Sequence, residues 1–542
     1  MQYVYQLKVM VIFLLVGLVA CADQSSTESP ALTCTLGTGT ILNISGSIKF
    51  ERIPLRDNNG SLDFANKTEL PAKAIQVEAV CNSAIAVTTT DDNGLYTLAV
   101  PSGTRGVFIR AKAQMKKTAT PSWDVEVKDA SSSLLFALDS RPFNLDGLDI
   151  TDKNLLAAAG NDGSSYPVNA IRAAAPFAIL DTIYKSMQFE LTVQANAIFP
   201  PLDVKWSTDN EDGSYYTNNQ ISLLGSLNDT DEFDEHVIAH EWGHYFQDAF
   251  SRDNSVGGFH APGDKLDIRV AFSEGFGNAF SAMVLNDSVY KDSQGITSGF
   301  TIDVESNNCT NEGWYSECSV QSVLYDFFDV TNETNDIFSL GFDEIHDVMI
   351  SNMPTSSALT SLFSFINPFK NLPTVVSGDV DALLAVQSIG SITDDFATGV
   401  SSGAYITGTT DVLPLYDTRA FPLTDVCSTG DNISGDYVYG LGASRFIHFT
   451  APSSGNFRFT SSWTSGLSTS DPDMYLYRNG TIVGYGRSTV NKSETFSAGL
   501  TIGNEYVLEV LEYTYVNLNI PYNPDASGAI NKTCFTVSRT QI

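Results

Sequence analysis

The sequence is poor in basic residues. Lysine and arginine together number 30, against 63 aspartates and glutamates, which gives a formal net charge of −33 at pH 7. A protein that binds nucleic acid needs a basic surface that neutralises phosphates, and no basic patch of that size can be seen in this sequence. The shortage of positive charge therefore argues against nucleic acid as a partner, and the excess of acidic residues favours solubility.

Long apolar runs are also scarce, and the exception lies at the start of the chain. Residues Met1–Ala20 combine a single Lys8 with the apolar run Val9–Val19, which is the pattern of a secretory signal. The ending Leu-Val-Ala-Cys resembles a bacterial lipobox, which implies membrane attachment through a lipidated Cys21 at the outer membrane or cell surface. A plain signal peptide with an incidental cysteine is the alternative. No other run reaches the roughly 20 apolar residues of a membrane span.

Cysteine is limited to seven residues, of which six remain when Cys21 is set aside. An even number in an exported protein predicts disulfides. Many connectivities are possible, and pairing between cysteines that follow one another in the sequence is the most economical hypothesis. None of the six has the spacing of zinc ligands. The predicted pairs are Cys34 with Cys81, Cys309 with Cys318, and Cys427 with Cys534.

The length of 542 residues, with 43% hydrophobic content, is too great for one core and predicts about two to four domains. Alternating short strands are expected at both ends and helices in the middle. The predicted fold class is a central α+β domain flanked by two all-β sandwiches. The predicted segments are a signal peptide at 1–20, a linker at 21–38, a β-sandwich at 39–143, the α+β domain at 144–425 and a second sandwich at 426–542.

The sequence His240-Glu241-x-x-His244 is the strongest chemical motif. Residues four apart lie on the same face of a helix, so the two imidazoles can bind one zinc ion with Glu241 beside them. Trp242 and Tyr245 fall on the opposite, apolar face, as expected of a helix inside a domain. The plainer alternative is an amphipathic helix whose histidines are satisfied by hydrogen bonds.

Glu274, which stands 30 residues after His244, is the predicted third ligand. Two histidines and a glutamate leave one zinc position for water, as a hydrolytic site requires. Asn278 lies four residues further on, so it shares a helical face with Glu274 and can reach the first helix. His260 is the alternative third ligand, although a glycine-rich loop holds it less firmly.

His-Glu-Trp-Gly-His-Tyr followed by Ser-Glu-Gly-Phe-Gly-Asn resembles the gluzincin metallopeptidases, especially the thermolysin-like and fungalysin-like branches, over roughly residues 200–340. The resemblance implies a zincin-like metallopeptidase domain. Two departures are Asn278, where many relatives have aspartate, and a spacing between the helices longer than thermolysin's. The metzincin pattern fails, since Gln247 and Phe250 stand where it needs glycine and histidine.

In this interpretation Glu241 accepts a proton from the zinc-bound water and passes it to the leaving amine. A further donor should stabilise the oxyanion. The candidates are His260, Tyr216 and Tyr315, and the alternative role of each is packing or a surface hydrogen bond.

Calcium is a weaker prediction. The acidic run at 228–235 is better explained as charge that favours the dipole of the zinc helix, with a calcium site as the alternative. Asp471 and Asp473 are likewise better explained as turn residues than as calcium ligands.

Both flanking regions show strand patterns with family resemblances. The turn Asp91-Asp-Asn-Gly94 between two strand segments predicts a β-hairpin, in a region that resembles transthyretin-like or carboxypeptidase-regulatory modules and implies support or adhesion. The segments 471–480 and 500–510 resemble the bacterial pre-peptidase C-terminal (PPC) domain, a β-sandwich common behind secreted peptidases.

The leading hypothesis is a secreted or surface-anchored zinc metalloendopeptidase, monomeric, acting on protein or peptide substrates. One rival is a non-catalytic adhesin or binding lipoprotein with a structural zinc site. Glu241 argues against it, because a purely structural site has no use for a base and usually closes its fourth position. Another rival is a zinc amidase acting on cell-wall material.

Overall fold

The computed structural model describes residues 33–295, 297–306, 308–330, 338–398, 416–430, 439–489, 492–517 and 532–542. The predicted signal peptide, Cys21 and most of the predicted linker lie outside these ranges. No helix within them is long and apolar enough to cross a membrane.

The N-terminal region consists mainly of short strands, as the sequence predicts for this end of the chain. In β5, buried Tyr96, Leu98 and Val100 alternate with exposed residues, as expected of a strand with one face on the core. The strands are β1 (Ile41–Arg52), β2 (Thr68–Pro71), β3 (Ile75–Cys81), β4 (Ser83–Thr89), β5 (Leu95–Pro101), β6 (Arg105–Lys117), β7 (Trp123–Asp129), β8 (Ala137–Asp139), β9 (Phe143–Asn144) and β10 (Leu155–Ala157).

The hairpin predicted at Asp91–Gly94 is wrong, although the turn itself forms. The Asp91 side chain accepts hydrogen bonds from the backbone of Asn93 and Leu95, and Gly94 adopts a positive φ of 73°. However, β4 pairs with β3, whereas β5 pairs with β1. The turn carries the chain from one sheet to another, because local turn chemistry fixes the bend but not the strand that each arm pairs with.

One sheet crosses the predicted boundary at residue 143. It has nine strands, with the main order β12-β13-β11-β7-β6-β3-β4, and its added strands are β11 (Leu202–Trp206), β12 (Tyr215–Thr217) and β13 (Gln220–Leu223). The joint is a parallel ladder between β7 and β11 in which Val127 lies opposite Val204. The N-terminal and central regions also share one continuous hydrophobic core. The N-terminal strands are therefore continuous with the central region.

The central region is mainly helical. The first helix begins at Ala175. A hairpin of β14 (Val289–Gln294) and β15 (Ser298–Asp303) follows the third helix. The helices are α1 (Ala175–Val193), α2 (Glu235–Phe250), α3 (Ile268–Leu285), α4 (Glu317–Phe328), α5 (Asp343–Asp347), α6 (Leu362–Phe369) and α7 (Ser377–Val386).

Helices α2 and α3 pack through aromatic side chains. The ring of Trp242 stacks on Phe280 at 5.4 Å between centroids, and the ring of Phe246 stacks on Phe276 at 5.9 Å. All four side chains are fully buried. This apolar contact fixes the two helices against each other, so the polar faces of both are held in register.

The C-terminal region is a β domain with two sheets around its own core, with strand orders β16-β18-β23-β20-β21 and β17-β24-β19-β22. The short strands predicted for this end of the chain are confirmed within its described residues. The elements are β16 (Tyr416–Asp417), β17 (Leu423–Thr429), β18 (Ser444–Thr450), β19 (Gly455–Ser465), β20 (Pro472–Arg478), β21 (Thr481–Gly486), β22 (Ser493–Leu500), β23 (Glu505–Glu512), α8 (Tyr513–Asn517) and β24 (Lys532–Gln541).

The three predicted disulfides are confirmed. They join Cys34 to Cys81, Cys309 to Cys318 and Cys427 to Cys534. Disulfides of this kind indicate an exported protein.

Candidate metal centre

The polar faces of α2 and α3 bring His240, His244 and Glu274 together. The Nε2 atoms of the two histidines lie 3.0 Å apart, and they lie 3.2 Å and 3.4 Å from Oε2 of Glu274. The residues are only 7%, 9% and 7% exposed. Two imidazoles and a carboxylate that converge in this way form a ligand set that zinc accepts. The structure therefore places the three predicted ligands at one point.

The close approach of the helices depends on glycine at position 277. A Cβ atom there would lie 2.8 Å from the imidazole ring of His240, closer than side-chain contacts allow. Gly243 on α2 faces the same residue, and a Cβ on it would lie 3.3 Å from the Cα of Gly277. In the sequence Glu-Gly-Phe-Gly-Asn, Glu274 is thus a predicted ligand, and Gly277 leaves the space that the imidazole of His240 needs.

Each histidine is oriented by a hydrogen bond from its other ring nitrogen. Nδ1 of His240 lies 2.8 Å from Oδ1 of Asn278, and the amide of Asn278 donates to Gln321 on α4. The expectation that Asn278 reaches the first helix is confirmed. Nδ1 of His244 lies 3.1 Å from the hydroxyl of Ser273. Such contacts fix the ring orientation and direct Nε2 towards the common point.

Glu241 lies beside the ligands and is 6% exposed. Its Oε2 atom is buried and has no hydrogen-bond partner among the described residues. Burial raises the pKa of Glu241, although the nearby imidazoles of His240 and His244 oppose this rise. A buried carboxylate oxygen without a partner, next to a set of nitrogen and oxygen ligands, fits a zinc-bound water as its missing partner.

His260 approaches the ligands from the loop between α2 and α3. Its Nε2 atom lies 3.2 Å from Oε2 of Glu274, and its Nδ1 lies 2.9 Å from Oε2 of Glu317. Glu317, the first residue of α4, was not found by sequence reasoning. The sequence feature that points to Glu317 is the neighbouring Cys318, because the disulfide from Cys309 to Cys318 fixes the start of α4.

The two tyrosine candidates differ in position. Tyr216 lines the cleft in front of the ligands, and its hydroxyl donates to Asp248 at 2.6 Å. Tyr315 is not among the cleft-lining residues, and its ring packs against Trp314. Tyr290, which sequence reasoning missed, also lines the cleft, with its ring centroid 6.3 Å from that of His240. No sequence pattern predicts that Tyr290, a residue of β14, lines the cleft.

The cleft has a volume of about 840 Å³. Its walls come from β12, from the loop that carries His260, and from the hairpin β14–β15. β12 stands at the end of the nine-stranded sheet, so one of its edges is free. A free edge beside a cleft can pair with an extended peptide.

The prediction that the acidic run at 228–235 serves the helix dipole is wrong for most of its members. Only Glu235 lies in the first turn of α2, where it forms ion pairs with Arg52 and Lys185. Asp231 and Glu232 belong to a separate 3-10 turn and are buried. The backbone at Asp234 is not helical, so the carboxylates of Asp231 and Glu232 are directed into the protein and not along the axis of α2.

The prediction that Asp471 and Asp473 are turn residues is wrong for Asp473, which lies in β20, whereas Asp471 directly precedes that strand. Asp473 is 5% exposed, and burial together with the charges of Asp471 and Glu494 raises its pKa to about 7. Calcium binding there stays an untested alternative.

Comparison with known proteins identifies one family in this part of the chain. Residues 192–377 match the Mycolysin C-terminal domain family, a range that contains α2, α3 and the ligands described above. The match covers less than half of the chain, and it indicates a peptidase-related protein. No curated protein matches the chain significantly.

Two solved structures with some likeness each cover 23% of this chain. One is the pre-peptidase C-terminal domain of a Bacillus anthracis collagenase, with 13% identity, 23% of this chain and 94% of that chain covered, and a TM-score of 0.14. Another is CorA, a surface-associated copper-binding protein of Methylomicrobium album BG8, with 9% identity, coverage of 23% and 96%, and a TM-score of 0.17. TM-scores this low decide nothing about fold or function.

Proposed function

We propose that this chain is a zinc-dependent metalloendopeptidase that hydrolyses peptide bonds in protein or peptide substrates. The observation that carries the proposal is the buried oxygen of Glu241, which has no partner among the described residues and lies beside the converged His240, His244 and Glu274. A ligand set alone would suit a structural metal. A base placed next to it is what hydrolysis requires.

In the proposed mechanism His240, His244 and Glu274 would hold zinc, and the bound zinc would supply polarisation of the scissile carbonyl and a lower pKa for a water. Glu241 accepts the proton of that water and delivers it to the leaving amine. Burial raises the pKa of Glu241, which makes the carboxyl a better proton acceptor near neutral pH.

His260 is proposed to donate a hydrogen bond to the oxyanion. Glu317 holds the opposite ring nitrogen at 2.9 Å, which keeps the imidazole turned towards the ligands. His260 also remains the alternative third ligand, since its Nε2 lies 3.2 Å from Glu274. Tyr216 is placed to contact the substrate from the free edge of β12, whereas the position of Tyr315 favours packing.

The setting is proposed to be outside the cell. The disulfides agree with export, and a lipidated Cys21 would attach the protein to the outer membrane or cell surface. We propose a monomer. The C-terminal β domain is proposed to be of the PPC type and the N-terminal strands to support the peptidase.

The test compares wild type with Glu241→Gln in casein digestion and in zinc content. We expect the variant to keep one zinc per chain and to lose activity by about a thousandfold or more, since the proton acceptor is removed while the ligands stay. Chelation should abolish wild-type activity, and added zinc should restore it. Asp152→Asn is the control. This exposed residue lies before the metal-binding helices in the sequence, so its substitution should change neither the zinc content nor the activity.

Three results would contradict the proposal in different ways. Wild-type protein that carries zinc and cleaves neither casein nor a peptide library would favour the adhesin. Cleavage of peptidoglycan amide bonds without cleavage of casein would favour the amidase. Full activity in Glu241→Gln would exclude the assigned base.

A further inference from the structure

A second group of carboxylates lies in the same cleft wall, apart from the zinc ligands. Asp229 and Asp231 precede α2, and Asp292 belongs to β14. One oxygen from each residue lies within 4.8 Å of the others. All three residues line the cleft. The chain thus brings three negative charges from two separate segments to one place.

Neighbouring acids have partners of their own. Glu232 forms a buried ion pair with Arg172 at 2.6 Å, and Asp234 accepts from the backbone and hydroxyl of Ser293 at 2.6 Å and 3.2 Å. Lys291, which adjoins Asp292 in sequence, pairs instead with Asp57 and Asp287. Arg172 and Lys291 are therefore paired with carboxylates outside the cluster.

Each of the three clustered residues has one carboxylate oxygen without a hydrogen-bond partner among the described residues. Asp231 is 3% exposed, and its Oδ1 atom has no hydrogen-bond partner in the part of the chain that is described. The Oδ1 atoms of Asp229 and Asp292 are buried and unpartnered in the same sense. The other oxygen of Asp231 accepts from Ser214. Like charges brought together out of water are costly unless a cation neutralises them.

We propose that Asp229, Asp231 and Asp292 bind a calcium ion, at a site distinct from the zinc centre. Carboxylate oxygens from three residues are the ligands that hard divalent cations prefer, and the absence of nitrogen or sulfur donors from the group disfavours zinc. Calcium accepts six to eight oxygens in flexible geometry, and the open cleft side leaves room for water to supply the remainder.

Calcium at this site would join three parts of the cleft wall. It would tie the segment before α2 to β14, and through Asp231 and Ser214 it would reach the residue that precedes β12. β12 is the free-edge strand of the cleft. The bound ion would therefore hold the edge strand in place, independently of the zinc ligands.

The test uses the full, zinc-loaded chain with calcium chloride as the only added ligand. Isothermal titration after calcium depletion should show one calcium per chain, and thermal unfolding should show a Tm that rises with calcium. Asp231→Asn and Asp292→Asn should each weaken calcium binding by about tenfold or more, since ligand charge sets affinity. Both should retain zinc, and Asp152→Asn should bind calcium as wild type does.

A measurement of thermal unfolding without calcium distinguishes the loss of calcium binding from misfolding of the variant. Without calcium, Asp231→Asn should be at least as stable as wild type, because it removes one of the clustered charges. The proposal is overturned if calcium-depleted wild type binds no calcium, or if both variants bind it unchanged. It is equally overturned if a lysine-containing peptide, but not calcium, binds at this cluster and is lost in Asp231→Asn.

Discussion

The two β regions are attached to the metal-binding helices in different ways. The N-terminal strands join the central region through a backbone ladder, in which β7 pairs with β11, and through a shared core. The C-terminal domain has its own core, although Phe446 and Val507 also belong to the main core. It joins the central region through one short backbone bridge, between Leu266 and Gly440, and through a buried ion pair on α3, the helix that carries Glu274. A long ladder of backbone hydrogen bonds does not depend on any one side chain, whereas a joint with a single bridge depends more on its ion pair.

The C-terminal joint centres on Arg269, which is fully buried. Its guanidinium donates to both oxygens of Glu509 on β23 at 2.6 Å and 2.9 Å, and to both oxygens of Asp267 at 2.9 Å. Glu509 also accepts from Ser444 and Tyr477 at 2.6 Å and 2.8 Å. Since every strong donor in this network is matched, removal of one partner leaves a buried charge unbalanced.

Glu509→Gln should have the largest effect on stability. The substitution keeps the shape and removes the charge opposite Arg269, which should cost about 3 kcal/mol of unfolding free energy because breaking a buried pair strands its partner. Urea denaturation followed by fluorescence would measure it. The triple variant Asp267→Asn, Arg269→Met and Glu509→Leu removes all three charges of the network and should recover part of the loss. A triple variant at least as unstable as Glu509→Gln would contradict the charge explanation.

Acid should weaken the same joint. Burial raises the pKa of Glu509, but the Arg269 charge outweighs it and holds that pKa below the ordinary value of 4.5. A carboxyl whose pKa is lowered on folding contributes its stability above the unfolded value and loses it as the pH falls through the folded value. The stability difference between wild type and Glu509→Gln should therefore shrink below pH 4.5. A difference that stays constant from neutral pH to pH 3 would rule out this linkage.

Asp203→Asn should have the smallest effect, although it also removes a carboxylate from an ion pair across a joint. Lys128 on β7 contacts Asp203 on β11 at 2.8 Å, and the two side chains are 20% and 42% exposed. A solvated pair contributes below about 1 kcal/mol, and the backbone ladder remains. Urea denaturation beside Glu509→Gln gives the comparison directly. A loss as large as that of Glu509→Gln would remove the distinction between the two attachments.

The sequence predicts what depends on local spacing. The imidazoles of His240 and His244 share a helical face by periodicity, and Asn278 and Glu274 do so on the next helix. The disulfide from Cys309 to Cys318 spans only nine residues. These features need no knowledge of distant contacts.

Features that depend on distant pairing could not be predicted. Glu317 lies 57 residues from His260, and Asp292 joins Asp231 only because a hairpin folds back over the start of α2. The turn at Asp91 shows the same limit, since its bend is encoded locally and its strand pairing is not. The joint at Arg269 spans 240 residues to Glu509, and neither residue belongs to a recognisable motif.

The parallel pairing of β7 with β11 sets an order of events during synthesis. β7 ends at Asp129 and its neighbour begins at Leu202, with α1 between them. Until β11 has been made and has paired with it, β7 is therefore an open sheet edge, ready to pair with other chains. The chain is exposed to this association from the time β7 forms until residues 202–206 join the sheet.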